Sequence, residues 1–384
     1  MLLFFLFHGT YFIAHFYVFF KIESLYYLST AGNVLLGLIL AFLALLPTVT
    51  YIFTLRGGKS FTRFLALSGY LWMGLLILFL SSSVLLDLYN LGIRFVDYIL
   101  NKDLSNASLS ATSGFFVPLF LSVCLNIYGY FGARNLRIKR LTVKTTKLPE
   151  GTDKLTIAHI SDVHLGIIVR EKILDKLIKA IKHESPQLIV STGDLIDGGL
   201  EQIQYLLEKL RSINARSGKF AVIGNHEYYS GIKASQKFLE SAGFTVLRGY
   251  GVTVDGLINI AGMDDIEGIR SNNDKDSATE SESEILSKFP PGIFTLLLKH
   301  KPYVTQSSLG LFDLQLSGHT HKGQIFPINL AVRLFLYPHS SYKKLSKGSA
   351  INVSGGVGTA GPPVRLFSPP EIIFIDVVSE KVTI

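Results

Sequence analysis

Long apolar stretches dominate the first third of the chain, and short apolar runs characterise the remainder. The long stretches are Leu2–Phe20, Val34–Phe53, Phe64–Leu86 and Phe115–Phe131. Each is close to the ~20 residues that an α-helix needs to cross a hydrocarbon core. Any one of them could be a buried helix of a soluble protein. Four in succession, separated by short polar loops, predict an all-α transmembrane domain of about four helices in residues 1–133.

The short apolar runs predict buried strands. Runs rich in leucine and β-branched residues are typical of strands that are covered on both faces. They are Leu155–Ile160, Gln187–Ser191, Lys219–Ile223, Ile293–Leu298 and Leu314–Ser317. Helices are predicted between them at Glu171–His183, Leu200–Ile213 and Lys233–Ser241. This alternation of strands and helices predicts an α/β domain over residues 154–384.

Other segments of this domain carry weaker patterns. Ala350–Val353 and Ile372–Val378 are predicted to be strands that complete a second sheet. Glu267–Lys288 is rich in Ser, Asp, Glu and Asn, a composition that favours a solvated surface insertion. Pro338–Gly348 contains several lysines and is predicted to be a soluble loop, although its charge also suits a membrane surface or an anionic substrate.

The charge distribution predicts how the chain lies in a membrane. The formal net charge is +8, and six cations lie between Arg134 and Lys147, directly after the fourth apolar stretch. We interpret residues 134–153 as a basic linker beside the membrane, where each cation contributes about 1 kcal/mol against an anionic surface. The range 56–63 also holds cations without an acid. Because positively charged loops stay in the cytoplasm, we expect a multi-pass protein of the cell membrane with its α/β domain in the cytoplasm.

A basic chain could also bind nucleic acid. Here the cations cluster after a predicted span, and the sequence contains no nucleic-acid recognition motif. We therefore expect membrane lipids, and no specific nucleic acid, as partners.

Residues that can bind metals follow the predicted strands in five blocks. In chain order the blocks are Asp162-Val163-His164, Gly193-Asp194, Gly224-Asn225-His226-Glu227, His300 and Gly318-His319-Thr320-His321. The ends of strands are the usual place for ligands on an α/β sheet. Each block alone is weak evidence, because such residues are often surface or helix-capping groups. Five blocks in order predict one shared site.

The blocks supply seven oxygen and imidazole ligands and one further histidine. This mixture suits Mn, Fe or Zn better than calcium, which prefers oxygen ligands only. Two such ions about 3.5–4 Å apart can clamp a phosphoryl group and lower the pKa of a shared water. The resulting hydroxide attacks phosphorus, and a histidine can protonate the leaving alkoxide. The residues therefore predict a phosphoester hydrolase with two divalent metal ions.

The blocks resemble the pattern D-x-H, G-D, G-N-H-[DE], H and G-H-x-H of the calcineurin-like metallophosphoesterase superfamily. The resemblance covers roughly Leu155 to the C-terminus and implies an α/β/β/α sandwich. The metal ligands that it implies are Asp162, His164 and His321 for one ion, Asn225, His300 and His319 for the other, and Asp194 as the bridge. It also implies that His226 is the general acid and that Glu227 orients it.

Three further segments are similar to the bacterial YkuE/YaeI-type branch of this superfamily. They are Gly224–Gly231, Ala261–Asp265 and Val364–Ile372.

Two functions of different classes remain open. The first is a membrane-anchored phosphodiesterase or phosphatase that acts on lipid-linked or amphiphilic substrates. One candidate reaction, by analogy of fold alone, is hydrolysis of a UDP-2,3-diacylglucosamine-type pyrophosphate in lipid A synthesis. The second function is a membrane-bound regulatory or sensor module with low turnover. The complete ligand set disfavours the second, as does the scarcity of ionisable residues inside the apolar stretches.

Overall fold

The computed structural model describes residues 2–55, 60–265, 280–336 and 341–380. The chain divides into two compact units. One unit is formed by Met1–Phe131 with Gly361–Val364, and the other by Gly132–Ala360 with Arg365–Ile384.

Four helices make up most of the first unit. They are α1 (Leu2–Tyr26), α2 (Thr30–Leu55), α3 (Ser60–Leu100) and α4 (Ala111–Gly132). Among the described residues, three segments are long and apolar enough to cross a membrane: Thr30–Thr50, Phe61–Leu100 and Ser105–Gly132. The protein is therefore membrane-associated. Helix α1 coincides with the first predicted span, but the side chains of residues 1–7 lie outside the described part, so the count of four spans stays a prediction.

Helix α3 is longer than the sequence predicts. Its 41 residues correspond to roughly 60 Å at a rise of 1.5 Å per residue, about twice the thickness of a hydrocarbon core. The predicted span ends at Leu86, and the polar residues beyond it are expected in a loop. These residues recur at helical spacing, at Asp87, Asn90, Arg94 and Asp97. One side of a helix can carry them all, and the helix therefore continues.

Several polar side chains of this unit have hydrogen-bond or ion-pair partners. His15 Nδ1 lies 2.7 Å from the carbonyl oxygen of Tyr11, and its Nε2 accepts a hydrogen bond of 2.9 Å from Trp72 Nε1. Lys21 Nζ lies 2.6 Å from Asp87 Oδ1. Because a polar group in an apolar environment is costly unless it is paired, these contacts hold α1 against α3.

The described part of the second unit contains two six-stranded sheets. In spatial order, the first sheet consists of β1 (Arg137–Thr145), β12 (Glu371–Ser379), β2 (Lys154–Ile160), β3 (Leu188–Ser191), β4 (Lys219–Ala221) and β5 (Thr245–Val246). The second consists of β10 (Lys343–Lys344), β11 (Ala350–Val353), β9 (Leu314–Ser317), β8 (Phe294–Lys299), β7 (Ile258–Met263) and β6 (Tyr250–Val254).

Six α-helices connect these strands in the described residues. They are α5 (Glu171–Glu184), α6 (Leu207–Arg211), α7 (Asn225–Tyr229), α8 (Ile232–Ser241), α9 (Glu282–Ser287) and α10 (Ile328–Ala331). A π-helical turn, Val332–Leu336, follows α10. Single 3-10 turns lie at Ser105–Ala107 in the first unit and at Leu200–Gln202, Gln204–Leu206, Gln306–Ser308, His321–Gly323 and Ser346–Gly348 in the second.

Buried apolar side chains fill three layers of the second unit. Ile157 and Leu188 of the first sheet meet Ile260 and Leu296 of the second in one core. A second core packs α5, α6 and α8 on the outer face of the first sheet. A third joins α9 to the outer face of the second sheet. The predicted α/β/β/α sandwich is confirmed.

The assignment of the last strand to the second sheet is wrong. Strand β12 lies in the first sheet, between β1 and β2. Its residues alternate between two cores: Ile373 and Ile375 face the other sheet, whereas Ile372 and Phe374 pack toward the helices. Alternate burial on both faces suits a central strand, and pairing with β1 on one side and β2 on the other gives β12 that position in the first sheet.

The basic segment 134–153 also has more structure than a linker. Residues Arg137–Thr145 form β1, which pairs in parallel with β12 along its whole length. Most residues of β1 are exposed, its cations among them, while its backbone belongs to the sheet. Alternating cations and apolar residues suit such an edge strand.

Three other predicted segments differ from the structure. Leu200–Ile213 is broken into two 3-10 turns and the short helix α6. The surface insertion Glu267–Lys288 falls largely outside the described residues, but its end forms α9, whose Ile285 and Leu286 are buried. The loop Pro338–Gly348 lies partly outside the described residues, and its described part contains β10.

Candidate metal centre

All five blocks of candidate ligands follow the carboxyl ends of parallel strands. Asp162 and His164 follow β2, Asp194 follows β3, and α7 begins at Asn225 after β4. His300 follows β8, and the loop with His319 and His321 follows β9. Strands β2, β3 and β4 are parallel neighbours, as are β8 and β9. The two sheets therefore bring their ligands to one common edge.

The ligand atoms form three overlapping groups. The groups are Asp162, His164 and His321; His164, Asp194 and His226; and Asp194, His300 and His319. Within each group the candidate ligand atoms lie within 4.8 Å of one another. Asn225 joins the third group, because its Oδ1 lies 3.0 Å from His300 Nε2. The structure thus brings together all the residues that the sequence predicted for the site.

The surroundings of His300 fit a bound cation. Its Nδ1 lies 2.8 Å from the carbonyl oxygen of Thr192, the contact that commonly orients a metal-binding histidine. A neutral ring that donates from Nδ1 presents a lone pair at Nε2. That Nε2 faces Asn225 Oδ1 and, at 3.2 Å, Asp194 Oδ2. Three lone pairs converge there, so a cation or a proton must lie between them.

The pKa of His300 reflects the negative charge beside its ring. Burial by itself lowers this pKa, but the charge of Asp194 and its hydrogen bond raise it to about 10. Conversely, burial and the charge of His300 lower the pKa of His319 to about 3. His319 is therefore neutral and available as a ligand at physiological pH.

The backbone around the cluster is strained. Five of the seven proposed metal ligands have positive φ: Asp162, His164, Asp194, His319 and His321. A non-glycine residue seldom adopts this conformation, and such residues concentrate at functional sites. The hydrogen bonds of the loops hold them there; for example, Asp162 accepts from His319 N at 2.9 Å.

Glycines are required at two positions where the loops cross. A Cβ at Gly318 would coincide with the hydroxyl of Ser161 and the carboxylate of Asp162. A Cβ at Gly224 would meet the carboxylate of Asp194. The constraint at both positions is space, since neither glycine has a positive φ.

Asp197 is a site residue that the sequence analysis missed. Its Oδ1 lies 2.9 Å from His226 Nδ1, and its Oδ2 lies 3.7 Å from His164 Nδ1. Burial opposes its ionisation, but the interactions with these two histidines bring the pKa of Asp197 well below its usual range. Its spacing, three residues after Asp194, was the only available signal.

Glu227 has a different role from the one that the resemblance implied. Its carboxylate does not bind His226 but accepts four backbone N–H groups. The donors are Asp194 (2.9 Å), Leu195 (2.7 Å), Ile196 (3.0 Å) and Gly224 (2.9 Å). Glu227 therefore holds the Asp194 loop against the start of α7, and Asp197 orients His226.

Other buried groups support Asp162 and His321. Ser161 Oγ donates to Asp162, and Thr192 Oγ1 donates to Ser161 Oγ at 2.8 Å. Arg365 donates to the carbonyl of Gly355 at 2.7 Å, and its Nη2 lies 3.0 Å from His321 Nδ1. Burial lowers the pKa of Arg365 to about 10, so this cation remains charged beside the site.

Comparison with known proteins identifies the family. A family model described as calcineurin-like phosphoesterase matches residues 155–323. An uncharacterized metallophosphoesterase of Aquifex aeolicus is 39% identical over 260 residues, which cover 67% of this chain and 98% of that protein. The chain belongs to the calcineurin-like metallophosphoesterase family, and it is a phosphoester hydrolase.

Two further relatives refine this placement. The metallophosphoesterase YkuE of Bacillus subtilis is 33% identical over 244 residues, which cover 60% of this chain and 82% of YkuE. A metallophosphoesterase of Helicobacter pylori is 28% identical over 368 residues, or 88% of this chain and 97% of that protein. The predicted likeness to YkuE is confirmed.

Proposed function

We propose that this chain is a membrane-anchored phosphoesterase that holds two divalent metal ions and acts on amphiphilic phosphoesters. The observation that carries the proposal is the overlap of the three ligand groups, in which Asp194 belongs to two groups. A carboxylate shared by two groups suits the bridge of a dinuclear centre.

The proposed ligands are the seven predicted from the sequence. Asp162, His164 and His321 would hold one ion, Asn225, His300 and His319 the other, and Asp194 both. When bound, Mn, Fe or Zn ions would supply Lewis acidity that activates water and neutralises the phosphoryl oxygens. Burial opposes the charge of Asp194, but His300 and His226 hold its pKa well below the usual range, so this carboxylate stays ionised.

His226 is the proposed general acid. Asp197 binds its Nδ1, which leaves Nε2 for the substrate. Burial lowers the pKa of His226, but the charges of Asp194 and Asp197 raise it to about 9, so the ring is protonated at neutral pH. During hydrolysis a water oxygen bonds to phosphorus and releases one proton to solvent, the ester P–O bond breaks, and the Nε2 proton passes to the leaving alkoxide. The ring of His226 then takes up a proton from solvent.

The substitution His226→Gln tests this assignment. The variant should retain its metal, measured by elemental analysis, and lose about 10²–10⁴-fold in kcat for an alkyl ester. The loss should be much smaller for a nitrophenyl ester, whose leaving group needs no proton. His183→Gln is the matched control, because the His183 side chain is 80% exposed at the end of α5. Loss of metal from His226→Gln would overturn the role, since His226 also lies within ligand distance of His164 and Asp194.

The amphiphilic substrate and the cytoplasmic location are also part of the proposal. Three apolar segments anchor the chain, and an anchored enzyme meets lipid-linked phosphoesters at high local concentration. The six cations of residues 134–147, without an acid, favour a cytoplasmic site.

Hydrolysis in proteoliposomes tests the substrate. We expect a higher kcat/KM for long-chain than for short-chain phosphodiesters, and a UDP-diacylglucosamine-type pyrophosphate belongs in the panel. Equal kcat/KM for long and short chains would refute the amphiphilic preference. A C-terminal reporter fusion that is active only outside the cell would refute the cytoplasmic location.

A further inference from the structure

Large apolar side chains are exposed on the catalytic unit close to the metal loop. They are Ile328 and Leu330 of α10, Leu334 of the following π-helical turn, and Phe367. We call these four residues the apolar patch. Leu334 is 64% and Phe367 73% exposed. Exposed apolar residues that cluster in this way mark an interaction surface more often than scattered ones do.

The loop of Phe367 is attached directly to the candidate metal centre. Its neighbour Ser368 donates from Oγ to the carbonyl of His321 at 2.6 Å, and Leu366 N donates to the carbonyl of Gln324 at 2.9 Å. The Phe367 ring lies 6.0 Å from the ring of Phe326. The patch therefore borders the loop that carries His319 and His321.

Phe367 also has an unfavourable backbone conformation. Its φ is +62°, a value that is rare for a bulky side chain. The fold thus holds a strained residue whose ring is left mostly in water. Contact of the Phe367 ring with a partner outside this chain would explain both the strained backbone and the exposed ring.

The stretch of sequence that carries the apolar patch contains charged side chains of one sign only. Between Asp313 and Glu371 the sequence contains six Lys and Arg residues and no Asp or Glu. Lys322 and Arg365 are partly or fully buried, whereas four of the cations are exposed: Arg333, Lys343, Lys344 and Lys347. Arg333 is next to Leu334 in the same π-helical turn, and exposed apolar side chains accompanied by cations are typical of protein surfaces that lie in the interface of an anionic membrane.

We propose that the apolar patch inserts into the headgroup region of an anionic lipid bilayer, beside the metal centre. Because the charged residues of this stretch are all cations, two copies of it would repel each other, which disfavours a second copy as the occupant. The protein is held at a membrane by its apolar helices, so a bilayer is always within reach of the chain. If the proposed function is correct, the patch also delivers lipid-borne phosphoesters to the site.

A fluorescent label tests the insertion independently of hydrolysis. The chain carries one cysteine, Cys124, which is first replaced by alanine. An environment-sensitive label is then attached at Leu334→Cys or at the control position Tyr205→Cys. Tyr205 is 54% exposed, in the 3-10 turn Gln204–Leu206 of the same unit. Both proteins are reconstituted in vesicles of phosphatidylcholine and phosphatidylglycerol, with and without brominated lipid.

We expect brominated lipid to quench the label at Leu334→Cys at least about twofold more than at Tyr205→Cys. Replacing phosphatidylglycerol by phosphatidylcholine should reduce this quenching. Equal quenching and equal solvent exposure at the two positions would overturn the proposal. So would cross-linking between copies at Leu334→Cys without quenching by lipid, because the patch would then be a dimer interface.

Activity gives a second readout. Leu330→Ser with Leu334→Ser should lower kcat/KM for a long-chain phosphodiester in vesicles at least about tenfold. It should leave hydrolysis of bis(nitrophenyl) phosphate unchanged, and Tyr205→Ser should alter neither. If the protein hydrolyses no lipid ester, the proposed substrate class is wrong. The quenching measurement still tests whether the apolar patch inserts into the bilayer.

Discussion

The role of Glu227 gives the sharpest test of the site's construction. In Glu227→Gln the side chain keeps its size but has one oxygen and one NH2 group in place of two oxygens. Glu227 Oε2 accepts from Asp194 N and Gly224 N, and Oε1 accepts from Leu195 N and Ile196 N. Whichever way the amide is turned, two backbone N–H groups face another donor.

The size of the effect follows from these bonds. A hydrogen bond to a charged group contributes about 1.5–3 kcal/mol, so loss of two should cost roughly 3–6 kcal/mol. This is a large part of the ~5–15 kcal/mol that stabilises a typical domain. For a domain of this size we expect Tm to fall by roughly 10–20 °C. Activity should fall with metal occupancy, because the carboxylate of Asp194 is no longer held in place.

Thermal unfolding of the detergent-solubilised, metal-loaded protein measures this change. Glu201→Gln is the matched control, since Glu201 is exposed. The result that refutes the reasoning is a Glu227→Gln variant with the Tm of the wild type and a displaced pH–rate profile. Glu227 would then act on His226, as the family resemblance implied.

Other predictions follow from the charges of the site. Because the pKa of His226 is raised to about 9, a general acid there loses its proton, and kcat/KM falls, as pH rises through that value. Asp197→Asn removes one of the charges that raise the pKa of His226, so the alkaline limb of the kcat/KM profile should move down by about one pH unit. An alkaline limb that does not move would contradict the pairing of Asp197 with His226. Asp194→Asn should lower both metal occupancy and kcat more than about 100-fold, beyond the loss typical of an outer-shell partner, and full metal retention would exclude a bridging role. The pKa of His300 is raised to about 10 without metal, so metal binding must displace a proton from this ring. Calorimetry in different buffers should show that the apparent metal affinity rises about tenfold per pH unit below pH 10. A metal affinity that does not depend on pH would rule out His300 as a ligand.

The strands of the sandwich were predictable because their apolar runs are continuous. Strands β9 and β11 match the predicted bounds, and α5 differs from its prediction by one residue. The partners of β12 were not predictable, because a strand buried on both faces fits the centre of either sheet. Helix α3 is longer than predicted. Its polar residues suggest a loop unless their helical spacing, which places them on one side of the helix, is recognised.

The candidate site was likewise predictable only in part. The metal ligands could be predicted from the sequence because metal chemistry restricts them to carboxylate, amide and imidazole groups. Asp197 and Arg365 were missed, because an aspartate or arginine in a loop has no distinctive local pattern. Their roles depend on contacts with His226 and His321, which are distant in sequence.

By itself the sequence determined the apolar helices, the α/β class, the family and the residues able to bind metals, because these follow from local composition, period and motif order. Only the tertiary structure decided that Asp194 lies between two ligand groups, that Glu227 supports the backbone, that Asp197 orients His226, and that exposed apolar side chains border the metal loop. These features arise where strands of two sheets end at one edge, and such distances between remote residues are set by packing.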